Sequence, residues 1–193
     1  MSEARIDRLL AASLHQAIAD LLPMRLEFYE SYLRPRGWRE DAVNLAPVAA
    51  VLSFLRREDE DTYDAVMGKA AAYASEWWML AQPWHVRSAG RMLPVRMRLR
   101  QLATLARRHF ETSYRGTKVR TRVRRRQIEI EIRGSIFCNA RDHAQHPQCR
   151  YYLAFVNALL VREGMRGEGQ IVACRAVDGD TCLLRIDVQE DGA

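Results

Sequence analysis

The chain has 193 residues, 48% of them hydrophobic and 28% charged, with a formal net charge of +6. That length suits one domain with a self-sufficient core, and the composition excludes a disordered or fibrous chain. Almost all the positive charge is arginine (Lys69 and Lys118 are the only lysines), giving a mildly basic surface rather than a dedicated phosphate-binding one.

Nothing near the start reads as a secretory signal, and no apolar run approaches the roughly 20 residues of a membrane span, so a cytoplasmic protein is expected. In that compartment thiols stay reduced, and clustered cysteines hold metal more often than they form disulfides.

The first half is patterned as helices. Ser2 can cap a first helix carrying Ile6, Leu9, Leu10, Leu14, Ile18 and Leu21, which Pro23 interrupts. A short helix is expected over Arg25–Tyr32, and Asn44 is placed to cap another over Leu45–Arg57. Glu58, Asp59, Glu60 and Asp61 read as a charged turn. A longer helix from Thr62 carries Val66, Tyr73, Trp77 and Leu80 and ends at Pro83; Pro94 then opens a helix over Val95–Phe110.

The period changes in the second half. Thr117–Arg124 and Gln127–Arg133 alternate apolar and charged residues about Arg125-Arg126, as a β-hairpin does. A polar loop from Cys138 to Gln148 leads to an apolar helix over Cys149–Glu163, which Gly164 can end. A second hairpin is expected over Gln170–Val177 and Thr181–Val188, turning at Asp178-Gly179-Asp180. The expectation is an α+β fold in one domain: a helical portion (1–114) packed on an antiparallel sheet from a ββαββ portion (115–190).

Lys118, Arg120, Arg122, Arg124, Arg125 and Arg126 could be a nucleic-acid stripe. Because the arginines can stand across from Glu129 and Glu131, a solvated charge ladder is the preferred reading, and nucleic acid is not expected as a partner. Trp77, Trp78, Trp84 and His85 cluster around Pro83 and supply what a pocket for an aromatic ligand needs, although aromatics at helical spacing also serve as core. No nucleophile elbow, Cys–His pair at a recognised spacing, or dinucleotide fingerprint is present, so nothing argues for an enzyme.

Cys174 and Cys182 flank the Asp-Gly turn, and Cys149 opens the preceding helix. Spacing alone suits either three buried thiols or a zinc site completed by a fourth ligand. The surrounding pattern resembles the 4-vinyl-reductase domain family from Gln127 to Val188. It has an alternating strand ending at Ser135-Ile136-Phe137, a cysteine (Cys149) heading an apolar helix, and the closing CRAVDGDTCLLRIDV.

That resemblance implies a fold related to the small TRAPP subunits and, more distantly, to heme-nitric-oxide-binding domains. It also implies a small, often hydrophobic ligand, with Phe137 added to the ligand-binding candidates, a homodimer, and zinc held by Cys149, Cys174 and Cys182. In sensor members a glutamate three residues before the second cysteine is the fourth ligand; here Ile171 stands there, and Cys138, His143, His146 or Glu168 would have to substitute. The expected function is small-molecule sensing with output through a protein partner. The alternatives are a tetrapyrrole or bacteriochlorophyll accessory role or enzyme, and a ligand-free interaction module like the TRAPP subunits.

Overall fold

The computed structural model describes residues 5–33, 42–88, 93–138, 144–177 and 179–190. The helices are α1 (Arg8–Leu21), α2 (Leu26–Leu33), α3 (Leu45–Leu55), α4 (Glu60–Leu80), α5 (Trp84–Ser88), α6 (Val95–Ser113) and α7 (Arg150–Arg162). The strands are β1 (Arg5–Asp7), β2 (Ala42–Asn44), β3 (Lys118–Arg124), β4 (Gln127–Arg133), β5 (Met165–Ala173) and β6 (Cys182–Glu190). The α+β plan with a helical first half is what forms. No described helix is long and apolar enough to cross a membrane.

The start departs from expectation. Ser2 lies outside the described residues, and α1 begins at Arg8 under Asp7, whose carboxylate accepts from the Leu9 N–H at 3.1 Å. Ile6 leaves the helical stripe for β1, which pairs with β2, and bridges to Tyr114. Pairing with segments distant in sequence outweighs the local period, and Ile6 is buried by it.

Asn44 does stand at the N-cap of α3. Helix α4 starts before Thr62, because Asp59 caps it: its carboxylate accepts from the Thr62 N–H and Oγ1, both at 2.8 Å. Glu60 and Asp61 then lie in the first turn, where the helix dipole favours negative charge.

Helix α4 is the central strut, packed between α1 and α7. Its buried Ala70, Ala71 and Ala74, with Ala11 and Ala17 of α1, are small enough for close helix approach.

The main sheet is antiparallel, ordered β3-β4-β6-β5. Arg120 lies opposite Glu131 and Arg122 opposite Glu129, the register the alternation calls for. Ile128, Ile130, Ile132, Leu184, Ile186 and Val188 fill the inner face, each fully buried side chain stabilising by roughly 1.5–3 kcal/mol. Helix α7 covers β5. At Gly169 a Cβ would run into Leu153, and at Gly167 into Leu160 and Asn157, so both glycines set how near α7 can lie.

The second hairpin differs from its expected form. Strand β5 runs from Met165 only to Ala173, and a loop leads from Cys174 to Thr181. The Cys174 carbonyl accepts from the Val177 N–H at 3.0 Å and the Gly179 N–H at 3.1 Å, so the chain curls there instead of pairing. Asp178, part of the expected turn, lies outside the described residues.

Candidate metal centre and aromatic core

Four chain segments end at one corner of the sheet. A 3-10 turn over Ile136–Cys138 follows β4 and places Cys138; Cys149 is the N-cap of α7; Cys174 follows β5; Cys182 opens β6 opposite Ile132. All four thiols are buried, and their sulfurs lie within 4.8 Å of one another. Cys138 Sγ is 3.3 Å from Cys182 Sγ and 3.5 Å from Cys174 Sγ. Four sulfurs about 2.3 Å from one tetrahedral ion lie about 3.8 Å apart, so the set has the dimensions of a single-ion site.

The surroundings also suit thiolate. The backbone N–H of Gln148 donates to Cys174 Sγ at 3.4 Å. Hydrogen bonds from Cys138, Cys149 and Cys182, then from the Ala176 backbone, pull the Cys174 thiol below its ordinary range. Bonds from Cys138 and Cys149 act likewise on Cys182. The Cys149 thiol is pushed up by the other three cysteines and by burial. A bound cation would deprotonate all four thiols and make each of them a ligand. Helix α3 leads to Arg56, which donates to the Phe137 carbonyl, and Tyr63 Oη on α4 donates to the Gln148 carbonyl at 2.9 Å. These bonds hold the segments carrying Cys138 and Cys149.

Cys149, Cys174 and Cys182 therefore come together as expected, and Cys138 completes the set. Ile171 is no obstacle, because the fourth donor arrives from another segment. Of the other substitutes, His143 lies outside the described residues. His146 is exposed, with Nδ1 3.1 Å from a Glu60 carboxylate oxygen, and Glu168 sits on the outer face of β5 across from Asp187.

The aromatic candidates separate into several places. Trp77 stacks on Tyr73 with centroids 5.5 Å apart. Trp84 is 73% exposed and meets His85 edge-on, away from the interior. Trp78 and Phe137 stand at the two ends of a continuous interior cluster. Trp78 packs on His109 at 5.1 Å, His109 stacks on Phe155 at 4.2 Å, and Phe137 stacks on Tyr151 at 4.8 Å.

His109, on the apolar stripe of α6, is fully buried, and burial pushes its pKa down to about 3, so it is neutral. Its Nε2 lies 3.0 Å from Tyr151 Oη. Its Nδ1 has no hydrogen-bond partner among the described residues, and neither has the buried Trp78 Nε1 beside it. Sequence reasoning missed His109; the signal was a histidine where a core helix calls for an apolar residue, in step with Leu102 and Leu105.

No family model and no curated protein matches this chain. Solved structures do. An Fe(II) unliganded H-NOX protein from K. algicida superposes with a TM-score of 0.61 at 11% identity, over 96% of this chain and 98% of that one. The H-NOX domain of Shewanella oneidensis in its Fe(II)CO state gives 0.55 at 9% identity, over 96% and 100%. A trafficking protein particle complex subunit 3 from Naegleria fowleri, bound covalently to palmitic acid, gives 0.44 at 13% identity over 93% and 96%. The fold is that of these H-NOX domains.

Proposed function

We propose that this chain is a small-molecule-sensing domain of the 4-vinyl-reductase type, with a structural zinc at Cys138, Cys149, Cys174 and Cys182. One observation carries the ligand-binding half of this reading: two unsatisfied polar groups, His109 Nδ1 and Trp78 Nε1, lie together inside an aromatic cluster. Leaving a buried polar group unpaired costs about 1–3 kcal/mol. A small hydroxylated aromatic molecule would answer both groups, its oxygen accepting from the indole N–H and meeting the imidazole, with its ring taking space that Trp78 gives up at the edge of the cluster. Trp78 is the half-buried member of the cluster, and a ligand would enter past it.

Zinc suits the other site because four thiolates at tetrahedral spacing are a closed coordination set, with no position left for substrate. The metal then braces the fold, which agrees with a sensor rather than an enzyme. The homodimer and the protein partner expected from the sequence belong to the same reading.

A tetrapyrrole fits this interior poorly. His109 Nε2 is engaged by Tyr151 and one ring face is stacked on Phe155 at an interplanar angle of 8°, so a macrocycle would reach only Nδ1, and only by displacing the packed rings.

The test is a titration of purified protein with phenol, followed by tryptophan fluorescence, alongside metal analysis. Saturable quenching in the wild type and its loss in a folded His109→Phe variant are expected, with one zinc per chain. An identical response in both proteins would overturn the assignment of the ligand seat, and an intense porphyrin absorption band on adding heme, lost in His109→Phe, would favour the tetrapyrrole alternative.

A further inference from the structure

Strand β3 forms one edge of the sheet, and its outer face carries Lys118, Arg120, Arg122 and Arg124, all exposed. The register sets Arg120 and Arg122 across from Glu131 and Glu129, yet those carboxylates are engaged elsewhere: Glu131 with Arg133 at 2.7 Å, Glu129 with Arg185 at 3.7 Å. Among the described residues the four cations of β3 make no ion pair.

The edge itself is open. Arg124 and Gln127 close the tight Arg125-Arg126 turn, where Arg125 takes φ 50°. Ladder-bonded residues on β3 are therefore Arg124, Arg122, Arg120 and Lys118, and the peptide groups between them point outward. The Val119 N–H confirms that direction, because it donates outward to the Glu111 carboxylate at 3.2 Å. The outward groups of Thr121 and Val123 have no partner among the described residues. Beside the strand lies a groove with about 520 Å³ of open space, lined by Arg107, Glu111, Lys118, Arg120, Glu131 and Arg133.

We infer that the β3 edge is a docking site for an acidic polypeptide segment that adds to the sheet as a further strand. The edge supplies backbone donors and acceptors, and the four unpaired cations supply complementary charge for Asp or Glu side chains spaced two apart. A second copy of this chain does not fit, since antiparallel pairing of β3 with itself would oppose arginine to arginine. Nucleic acid fits less well: the outward carbonyls of β3 need donors that a phosphodiester lacks, Glu111 and Glu131 interrupt the positive potential, and no exposed aromatic lines the groove to stack a base. This inference stands apart from the ligand-sensing reading and does not depend on zinc.

The experiment uses a fluorescent peptide of alternating Glu and Val, about the length of β3, with its Lys–Val counterpart and a single-stranded oligonucleotide as comparison probes. Fluorescence anisotropy should show binding of the Glu–Val peptide, weakening with added salt, and none of the Lys–Val peptide. The Arg120→Glu, Arg122→Glu double variant should lose at least about tenfold in affinity. Thr121→Pro removes an outward N–H but no charge and should lose a similar factor; proline is tolerated at such an edge position. Circular dichroism checks both variants, and in the wild type the peptide should slow amide exchange at Thr121 and Val123. Full binding by Thr121→Pro, unchanged exchange at those amides, or an oligonucleotide binding as tightly as the peptide would overturn the inference in favour of a general polyanion surface; no binding by any probe would overturn it outright.

Discussion

The cysteine corner and the His109 cluster are both polar groups buried in an apolar interior, and helix α7 carries part of each. Cys149 heads the helix, and Tyr151 and Phe155 follow within its next turns. At the corner every sulfur faces the same small volume at the spacing of one ion, and the Gln148 backbone N–H donates to one of them. At the cluster the groups are spread through stacked rings, with two polar atoms unanswered. A closed set of donors is suited to holding structure permanently; an open one is suited to a ligand that comes and goes.

The largest test of that contrast is to break the corner. Chelation of the metal, or Cys182→Ser, should abolish cooperative thermal unfolding near the wild-type midpoint, since structural zinc contributes on the order of 10 kcal/mol in isolated zinc-binding peptides. Unaltered unfolding of metal-free protein would end the claim. Next comes the seat of α7. Gly169→Leu forces the helix off β5 against Leu153 and should cost roughly 1–3 kcal/mol in chemical denaturation while disturbing both clusters.

A smaller effect separates the clusters by pH. His109 titrates near 3 when folded against about 6.5 when unfolded, so the unfolded chain binds the proton first as pH falls. Stability should therefore drop by up to about 1.4 kcal/mol per pH unit between those values, and be constant from this group above them. Acid also protonates the cysteines, so the quantity to measure is the difference between wild type and His109→Phe. Equal pH slopes in the two proteins would contradict the burial of a neutral imidazole.

The smallest effect is the most telling. His109→Phe removes an unsatisfied nitrogen without opening a cavity, but it also takes a partner from the buried Tyr151 Oη, so the two effects offset and the melting temperature at neutral pH should stay close to that of the wild type. The cysteine corner has no such offset: Cys149→Ala should be strongly destabilising with or without phenol.

Much of this was readable in the chain. The β3–β4 register followed from strict alternation around Arg125-Arg126, because the side-chain period of a strand leaves no freedom once one face is buried. Gly164, at φ 70°, ends α7 as expected, and Cys149, Cys174 and Cys182 were recognisable from the pattern around them. What escaped were features made by segments far apart. Ile6 looked helical until β2 paired with β1, and the expected hairpin over Gln170–Val188 was too tight because the turn bonds at Cys174 are invisible in composition.

The sequence by itself determined the α+β plan and the faces of each strand, because these depend on periodicity and near neighbours, and three of the four clustered cysteines stand out through the resemblance of the pattern around them. Only the tertiary structure decided that Cys138 joins the other three cysteines, and that Trp78 packs on His109. Both depend on distance in space between residues well separated along the chain, and packing sets that distance while spacing in the sequence does not.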